Sequence, residues 1–210
     1  MEDAEEKGQE DFIPDLQKIH ASGNHLLNLI NNILDLSKIE AGKMDLLLES
    51  FGISRVIEDV VSTIKPLVEK NANTLQVQCA ADLGTMHADL TKVRQSLFNL
   101  LSNACKFTEN GTITLEASRE LIGGVGWIKF SVSDTGIGMA PDQMETLFQP
   151  FVQGDASTSR KFGGTGLGMT ITHRFCEMMG GEISAASEPG RGTTFTIRLP
   201  AWVKVQPPAA

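Results

Sequence analysis

Two kinds of apolar periodicity alternate between residues 44 and 200, and no other feature of the sequence constrains the fold as strongly. Stretches with apolar residues at every second position are interleaved with stretches where they recur every third or fourth. Strands are predicted at 44–51, 74–79, 112–118, 127–132, 182–187 and 193–199, and helices at 54–70, 89–107, 143–147 and 167–179. The spacing differs from that of a doubly wound βαβ sheet. It predicts an α/β (α+β) two-layer sandwich, in which about three helices cover one face of one mixed sheet.

A long helix is predicted ahead of this region, from about Phe12 to Ala41, with Asp11 as its candidate N-cap. Its residues follow the 3–4 spacing of a coiled-coil seam at Leu16, Ile19, Gly23, Leu26, Ile30 and Ile33. A single helix cannot bury such a stripe. The stripe must therefore pack on the downstream domain, on a missing hairpin partner, or on another chain. We expect self-association, as a homodimer through residues 12–41.

The domain organisation follows from these patterns. Residues 1–43 are interpreted as a partial helical segment, 44–200 as the main domain and 201–210 as a loose Pro-rich tail. The stretch from 140 to 165 has little periodicity and many Gly, Ser and Thr residues. Loops of that length within a compact domain are usually functional, so we expect a lid.

The composition excludes several functional classes. The chain has 26 acidic and 18 basic residues and a net charge of −8, which disfavours nucleic-acid binding through a basic surface. No stretch of about 18 apolar residues predicts a transmembrane helix, and the acidic N-terminus does not resemble a signal peptide. Cys79, Cys105 and Cys176 form no CxxC pair, so neither a zinc site nor a disulfide framework is predicted. A cytoplasmic location is expected.

Three polar or glycine-rich segments carry the candidate chemistry. In the first, Asn99, Asn103 and Lys106 are spaced to share one face of the helix predicted at 89–107. Amide oxygens can ligate Mg²⁺, and an ammonium group can contact phosphate oxygens. This face is a candidate site for magnesium and phosphate, although an ordinary solvent-exposed helix face has the same pattern.

The second segment is Asp134-Thr-Gly136-Ile-Gly138, which follows an apolar strand. The carboxylate provides a hydrogen-bond acceptor, and glycine backbone lets a planar ligand approach closely. An ordinary Asp-Gly turn has the same sequence, so this segment is informative only in combination with the others.

The third segment, Gly163-Gly164-Thr165-Gly166-Leu167-Gly168-Met169, opens the helix predicted at 167–179. The first N–H groups of a helix have no intrahelical partner, and the helix dipole favours an anion there. This segment is therefore a candidate phosphate site. It matches neither the Walker A loop, which continues Gly-Lys-Ser/Thr, nor the dinucleotide fingerprint, which follows a strand directly.

In this order, the segments resemble the histidine kinase branch of the GHKL (Bergerat-fold) ATPases. NLLSNACKFT resembles the N box, DTGIGM the G1 box, FQPF (Phe148–Phe151) the F box, GGTGLGM the G2 box, and Gly190-Arg-Gly192-Thr193 the last glycine box. The resemblance covers about residues 44–200. HLLNLINNILDLSKIEAGKM, in the N-terminal helix, resembles the second helix of the dimerisation and histidine-phosphotransfer hairpin.

The resemblance implies roles for the matching residues in ATP binding. Asp134 would accept a hydrogen bond from the adenine amine, and Asn103, supported by Asn99, would bind Mg²⁺. The purine would be admitted by Gly136 and Gly138 and touched by Thr193. The phosphates would be contacted by Lys106, Gly164, Thr165, Gly166, Leu167 and Gly168. The lid at 140–165 would be anchored by Phe148 and Phe151, with Gln153, Arg160 and Lys161 as candidate contacts of the γ-phosphate.

The implied activity is transfer of the γ-phosphoryl group of ATP to a histidine, with a response-regulator receiver domain as a further partner. The family's acceptor histidine is followed by an acidic residue and Leu-Arg-Thr-Pro. His20, His25, His87 and His173 all lack this context. The resemblance therefore implies a piece of a sensor kinase that starts in the hairpin loop and does not phosphorylate itself.

Three alternatives remain open at this point. A hydrolytic GHKL ATPase needs a carboxylate to activate water where Asn99 stands, and an amide cannot accept the proton. An anti-sigma-type serine kinase shares the boxes but would not need the helix at 12–41. A binding module or pseudokinase would lose Asp134, Asn103 or the glycines, all of which are present.

Overall fold

The computed structural model describes residues 12–152 and 166–204. The chain divides into two compact units, and the division falls between Lys43 and Met44. Within the described residues, no helix is long and apolar enough to cross a membrane.

In its described residues, the first unit contains one helix, α1 (Ile13–Glu40), of 28 residues. It begins after Phe12, whose side chain makes no capping hydrogen bond, while the predicted cap Asp11 lies outside the described residues. The residues of the predicted seam are 37–68% exposed at Leu16, Ile19, Leu26, Ile30 and Ile33. The helix therefore presents an apolar stripe to its surroundings.

The second unit alternates strands and helices. Its elements are β1 (Leu48–Gly52), α2 (Ile53–Lys70), β2 (Thr74–Cys79), β3 (Thr85–Asp89), α3 (Leu90–Phe107), β4 (Thr112–Ile122), β5 (Val125–Asp134), α4 (Pro141–Thr146), α5 (Gly168–Met178), β6 (Glu182–Glu188) and β7 (Gly192–Pro200).

Five of these strands form one mixed sheet in the order β2-β4-β5-β7-β6. The β2–β4 pair is parallel and the other pairs are antiparallel. The predicted two-layer sandwich with a mixed sheet is confirmed. One part of the prediction is wrong: β1 leaves this sheet and pairs antiparallel with β3, a strand that the sequence analysis missed.

Alternation along the central strands places the core on one face of the sheet. The buried apolar side chains of these strands are Ile113, Leu115, Ile128, Phe130, Val132, Phe195, Ile197 and Leu199. They face α2, α3 and α5, whose buried residues include Val60, Ile64, Leu97, Leu100, Ile171 and Phe175. Polar residues such as Thr114, Glu116 and Lys129 occupy the intervening positions, so the opposite face of the sheet is polar.

Helix α3 is fixed at its start by Asp89. The Asp89 carboxylate accepts hydrogen bonds from the N–H of Lys92 at 3.0 Å and from the N–H of Leu47 at 3.0 Å. The first contact is an N-cap, which satisfies one of the unpaired donors of the helix. The second ties the segment before β1 to the same carboxylate, so this residue sets where α3 begins.

The segment after β7 differs from the predicted loose tail. Ala201 and Val203 are buried. The N–H of Ala201 donates to the Gly126 carbonyl at 2.8 Å, and that of Val203 donates to the His87 carbonyl at 2.8 Å. These residues belong to the folded domain because they bury apolar side chains and pair their backbone. Residues 205–210 lie outside the described part of the chain.

Candidate functional site

The candidate site is assembled where the end of α3, the end of β5 and the start of α5 come together. The N–H of Ile137, just after β5, donates to the Phe107 carbonyl at the end of α3, at 3.2 Å. The amide of Asn99 on α3 donates to the Gly168 carbonyl at the start of α5, at 3.3 Å. The three segments singled out in the sequence are therefore neighbours in the fold.

Asp134 is a half-buried carboxylate at the end of β5. Its Oδ1 accepts from the N–H of Gly136 at 2.8 Å and from the hydroxyl of Thr108 at 3.4 Å. Burial raises the pKa of Asp134, while hydrogen bonds from the backbone of Gly136 and Thr193 and from Thr108 act in the opposite direction. The site thus holds an oriented acceptor in a partly desolvated position.

The glycines near Asp134 allow the backbone to pack unusually closely. A Cβ on Gly136 would collide with the Phe107 carbonyl, and one on Gly138 would collide with the Glu188 carbonyl. Gly138 also has a φ of +65°, and Gly192, at +95°, packs directly against the Asp134 carbonyl. The loop around Asp134 can fold in this way only because these glycines have no side chain. This requirement is separate from the close approach of a planar ligand.

Helix α3 presents Asn99, Asn103 and Lys106 along the site. The Asn99 Nδ2 donates to the start of α5, to the Gly168 carbonyl at 3.3 Å and to the Thr172 hydroxyl at 3.2 Å. Within the part of the chain that the structure describes, the Asn99 carbonyl oxygen accepts no hydrogen bond, so it can serve as a ligand. Asn103, four residues further along, is half-buried.

Lys106 is the cation of this helix face. Its Nζ lies 4.7 Å from the centroid of the Phe107 ring. Burial lowers the pKa of Lys106, because a partly desolvated ammonium is less stable than a hydrated one. A phosphate beside it would offset that cost by supplying opposite charge.

The described residues fit a magnesium site in which the protein supplies only amide oxygens. They contain no group of three His, Cys, Asp or Glu side chains that could hold a metal ion. The donors left are amide oxygens of Asn99 and Asn103. Mg²⁺ is commonly bound by one or two protein oxygens together with substrate phosphates and water. The two amides fit that arrangement.

Only part of the glycine-rich segment is described. Gly166 has a φ of +69°, and a Cβ there would lie 2.9 Å from the Val152 carbonyl. Leu167 is fully buried, and Gly168 opens α5 beside Asn99. The other predicted members lie outside the described residues: Gln153, Arg160, Lys161, Gly164 and Thr165.

The two predicted lid anchors behave differently. The Phe148 ring stacks on the imidazole of His173 of α5, with centroids 5.1 Å apart and an interplanar angle of 26°. Phe151 is 63% exposed and has a φ of +63°. The structure shows a packing partner for the Phe148 ring, whereas the Phe151 ring is exposed among the described residues; the anchoring role of both remains a prediction.

Two residues of the site escaped the sequence analysis. Thr108 donates to Asp134, and Ser187, at the end of β6, contacts Met139, Gly192 and Thr193 through its hydroxyl. Thr108 ends the segment that resembles the N box but was given no role there, and Ser187 has no spacing signal because it is a single hydroxyl residue outside the quoted segments.

Comparison with known proteins places the chain in a family. Residues 88–203, more than half of the chain, match the model described as "Histidine kinase-, DNA gyrase B-, and HSP90-like ATPase". The circadian input-output histidine kinase CikA of Synechococcus elongatus is 42% identical over 199 residues, which cover 91% of this chain and 25% of CikA. LuxQ of Vibrio parahaemolyticus, an autoinducer 2 sensor kinase/phosphatase, is 36% identical over 95% of this chain and 23% of LuxQ. The chain spans about a quarter of these relatives.

Solved structures agree with this assignment. Full-length ShkA, crystallised in complex with AMPPNP, is 33% identical and superposes with a TM-score of 0.77 over 92% of this chain and 39% of ShkA. Histidine kinase ThkA, solved in complex with the response regulator protein TrrA, shares the fold, with a TM-score of 0.67 at 20% identity over 90% of this chain and 51% of ThkA. The chain therefore belongs to the histidine kinase-, DNA gyrase B- and HSP90-like ATPases, and within them to the catalytic domains of sensor histidine kinases.

Proposed function

We propose that this chain binds Mg·ATP and transfers the γ-phosphoryl group to a histidine on a separate hairpin helix, as one step of two-component signalling. The observation that carries the proposal is the Asp134 carboxylate. It is half-buried, oriented by Gly136, Thr108 and Thr193, and placed next to the C-terminal end of α3, the helix that carries the Asn99 and Asn103 amides. Calorimetric titration with ADP and label transfer from ATP to an acceptor hairpin test the two parts of the proposal.

Base recognition is assigned to Asp134. Adenine presents an exocyclic amine where guanine presents a carbonyl oxygen. A carboxylate accepts from the amine and repels the carbonyl, so it favours adenine. Sites that hydrogen-bond a substrate group discriminate strongly against analogues that lack it, because buried polar groups are then left unpaired.

Phosphate and metal binding is assigned to α3 and the start of α5. Asn103, with Asn99, would hold Mg²⁺ through amide oxygens, and Lys106 would contact phosphate oxygens. The N–H groups near Gly166, Leu167 and Gly168 would bind the β- and γ-phosphates at a helix N-terminus. When bound, Mg²⁺ supplies positive charge that neutralises the phosphate oxygens.

The proposed chemistry needs no general base on this chain. A neutral imidazole nitrogen carries a lone pair that can attack phosphorus, and ADP leaves as the bond to its bridging oxygen breaks. The proton on the other ring nitrogen is then lost to water, which leaves a neutral phosphorylated ring. Catalysis then rests on positioning and on electrostatic stabilisation of the phosphoryl group. The residues of α3 and α5 supply both.

The environment of Asn99 supports transfer over hydrolysis. Its amide nitrogen donates to two acceptors on α5, so the side chain holds α3 against the phosphate-binding turn. An amide in this position cannot accept a proton from water. A hydrolytic ATPase would need a carboxylate here.

We further propose that α1 mediates association with a second copy, and that a response-regulator receiver domain receives the phosphoryl group from the acceptor histidine. The exposed stripe on α1 supports the first part, because contiguous exposed apolar residues usually mark an interface. Membership in the sensor kinase family supports the second.

Introducing charge into the α1 stripe is expected to give a monomer. Leu26→Glu combined with Ile30→Glu places two carboxylates on the exposed seam, where burial against a second helix would be strongly unfavourable. Light scattering should show a dimer for the unmodified chain and a monomer for this variant.

The matched control carries the same charge change on the polar side of α1. Asn28→Glu combined with Asn31→Glu alters two exposed residues outside the seam and should remain dimeric. A monomeric unmodified chain at high concentration would show that the proposed association is wrong.

A further inference from the structure

Ser187 lies at the centre of a hydrogen-bond cluster that none of the assigned roles uses. Its Oγ accepts from the N–H of Met139 at 2.8 Å, donates to the Gly192 carbonyl at 2.9 Å, and lies 2.8 Å from the Thr193 hydroxyl. Met139 belongs to the loop that follows Asp134, and Thr193 is directly opposite Ser187 in the β6–β7 register. One side chain therefore links β6, β7 and the loop of the candidate base site.

All three contacts of Ser187 can be hydrogen bonds at once only if the third has one particular direction. A serine hydroxyl has one proton and two acceptor positions. The proton goes to the Gly192 carbonyl, and one acceptor position takes the Met139 N–H. The contact with Thr193 is then a hydrogen bond only if Thr193 donates. In that arrangement the Thr193 hydroxyl donates its proton to Ser187 and offers only lone pairs to any other partner.

The orientation of Thr193 matters because this residue lies beside Asp134. The Thr193 backbone donates to the Asp134 carboxylate, and Gly192, the residue before it, packs against the Asp134 carbonyl. With its hydroxyl proton directed to Ser187, Thr193 offers a second acceptor on the residue whose backbone binds the carboxylate. Two neighbouring acceptors match the two protons of an exocyclic amine and oppose a carbonyl oxygen.

We propose that Ser187 is a positioning residue that determines base specificity: it holds the Thr193 hydroxyl as an acceptor and so makes the site favour 6-aminopurines over 6-oxopurines. This inference rests on the proposed nucleotide binding. Ser187 acts through Thr193 and through the loop, without a contact to the base of its own.

Ser187 has two effects that an experiment can separate. Through Met139 it holds the loop after Asp134, which is also tied by the Gly190 N–H donating to the Ile137 carbonyl at 2.7 Å. Loosening this loop should weaken all purine nucleotides alike. Through Thr193 it sets a proton direction, and releasing that hydroxyl lets it donate to a carbonyl oxygen. Only the second effect changes the ratio of affinities for two bases.

The test compares ADP with inosine diphosphate, which carries a carbonyl oxygen in place of the amine. Calorimetry on Ser187→Ala should show ADP binding weakened by about tenfold. It should also show the ADP preference over inosine diphosphate reduced several-fold. Ser187→Thr keeps the hydroxyl and should restore the preference.

Ser133→Ala is the matched control. Ser133 and Thr194 form a hydroxyl pair at 2.9 Å across β5 and β7, but this pair does not contact the loop. The Ser133→Ala variant should bind both nucleotides as the unmodified chain does. If Ser187→Ala fails to fold by circular dichroism, Ser187→Cys, nearly the same size with a weak donor, should show an intermediate preference.

An unchanged preference for ADP over inosine diphosphate in the folded alanine variant, or in the cysteine variant if that one is needed, would overturn the inference. Ser187 would then have only a structural role. An unmodified chain that binds neither nucleotide would instead contradict the proposed function, and the inference with it. The two failures are therefore distinguishable.

Discussion

Replacing Asp134 with asparagine is expected to weaken ADP binding by about ten- to a hundredfold. The substitution keeps the size of the side chain but can place an amide donor against the adenine amine. Leaving buried polar groups unpaired costs about 1–3 kcal/mol, and each 1.4 kcal/mol corresponds to about tenfold in affinity. Asp134 is half-buried and held by backbone donors, so water cannot readily replace the hydrogen bond that the variant loses.

Calorimetry with ADP, ATP and GTP measures this effect. Asp82→Asn, which changes an exposed carboxylate outside the site, is the matched control and should bind ADP normally. Equal affinity of the Asp134→Asn variant and the unmodified chain for ADP, or equal affinity of the unmodified chain for GTP and ATP, would refute the adenine assignment.

The same carboxylate predicts the pH dependence of binding. Burial raises the pKa of Asp134, and only the ionised form is an acceptor on both oxygens. ADP affinity should therefore fall as the pH is lowered through this raised pKa, at a higher pH than for an ordinary aspartate. Titrations of Asp134→Asn should lack this dependence. A wild-type profile that matches the variant's would contradict the assignment.

The stability of the nucleotide-free protein should respond to pH in the opposite direction to ADP affinity. A carboxyl whose pKa is raised by folding makes the ionised form costly in the nucleotide-free protein, and this cost disappears as the pH falls through that pKa. Above it, Asp134→Asn should be at least as thermally stable as the unmodified chain. Melting curves at neutral pH check this, and a marked loss of stability would show that the carboxylate is retained for folding.

Periodicity was sufficient to predict most of the architecture. The alternation in β4, β5 and β7 and the three- to four-residue spacing in α2 and α3 located these elements within a few residues. The strand β3 (Thr85–Asp89) was missed because it is short, carries polar residues, and runs directly into α3. Consequently the pairing of β1 outside the main sheet could not be predicted, since its partner was unknown.

The candidate site was predictable where its residues follow a pattern. Asn99 and Asn103 share a helix face by spacing, and Asp134 precedes glycines whose packing the structure explains. Thr108 and Ser187 were not predictable, because their importance comes from tertiary hydrogen bonds between distant segments. The sequence also does not report that Phe151 has a left-handed backbone or that its ring is exposed among the described residues, and its role as a lid anchor stays a prediction.

Mixed with labelled ATP, Mg²⁺ and a separate acceptor hairpin from a sensor histidine kinase, the chain is expected to label the hairpin and not itself. The candidate residues for holding Mg·ATP are present, whereas His20, His25, His87 and His173 lack an acceptor context. Transfer should be slow, because loss of the tether lowers the effective concentration of the two parts.

Asn103→Ala should abolish this transfer, because it removes the proposed metal-ligating oxygen without changing the core. Chelation of Mg²⁺ should have the same effect. Asn28→Glu, an exposed change on α1, is the control and should transfer normally. Activity of Asn103→Ala at the unmodified rate would remove the metal assignment while leaving nucleotide binding intact.

The most direct test of the central claim is the chemical fate of the γ-phosphoryl group in that mixture. The proposed function predicts a label on the hairpin that is labile in acid and stable in base, as expected of a phosphoramidate, with little free phosphate. Robust labelling of the chain at His20 or His25, or rapid Mg²⁺-dependent release of free phosphate without any acceptor, would contradict it.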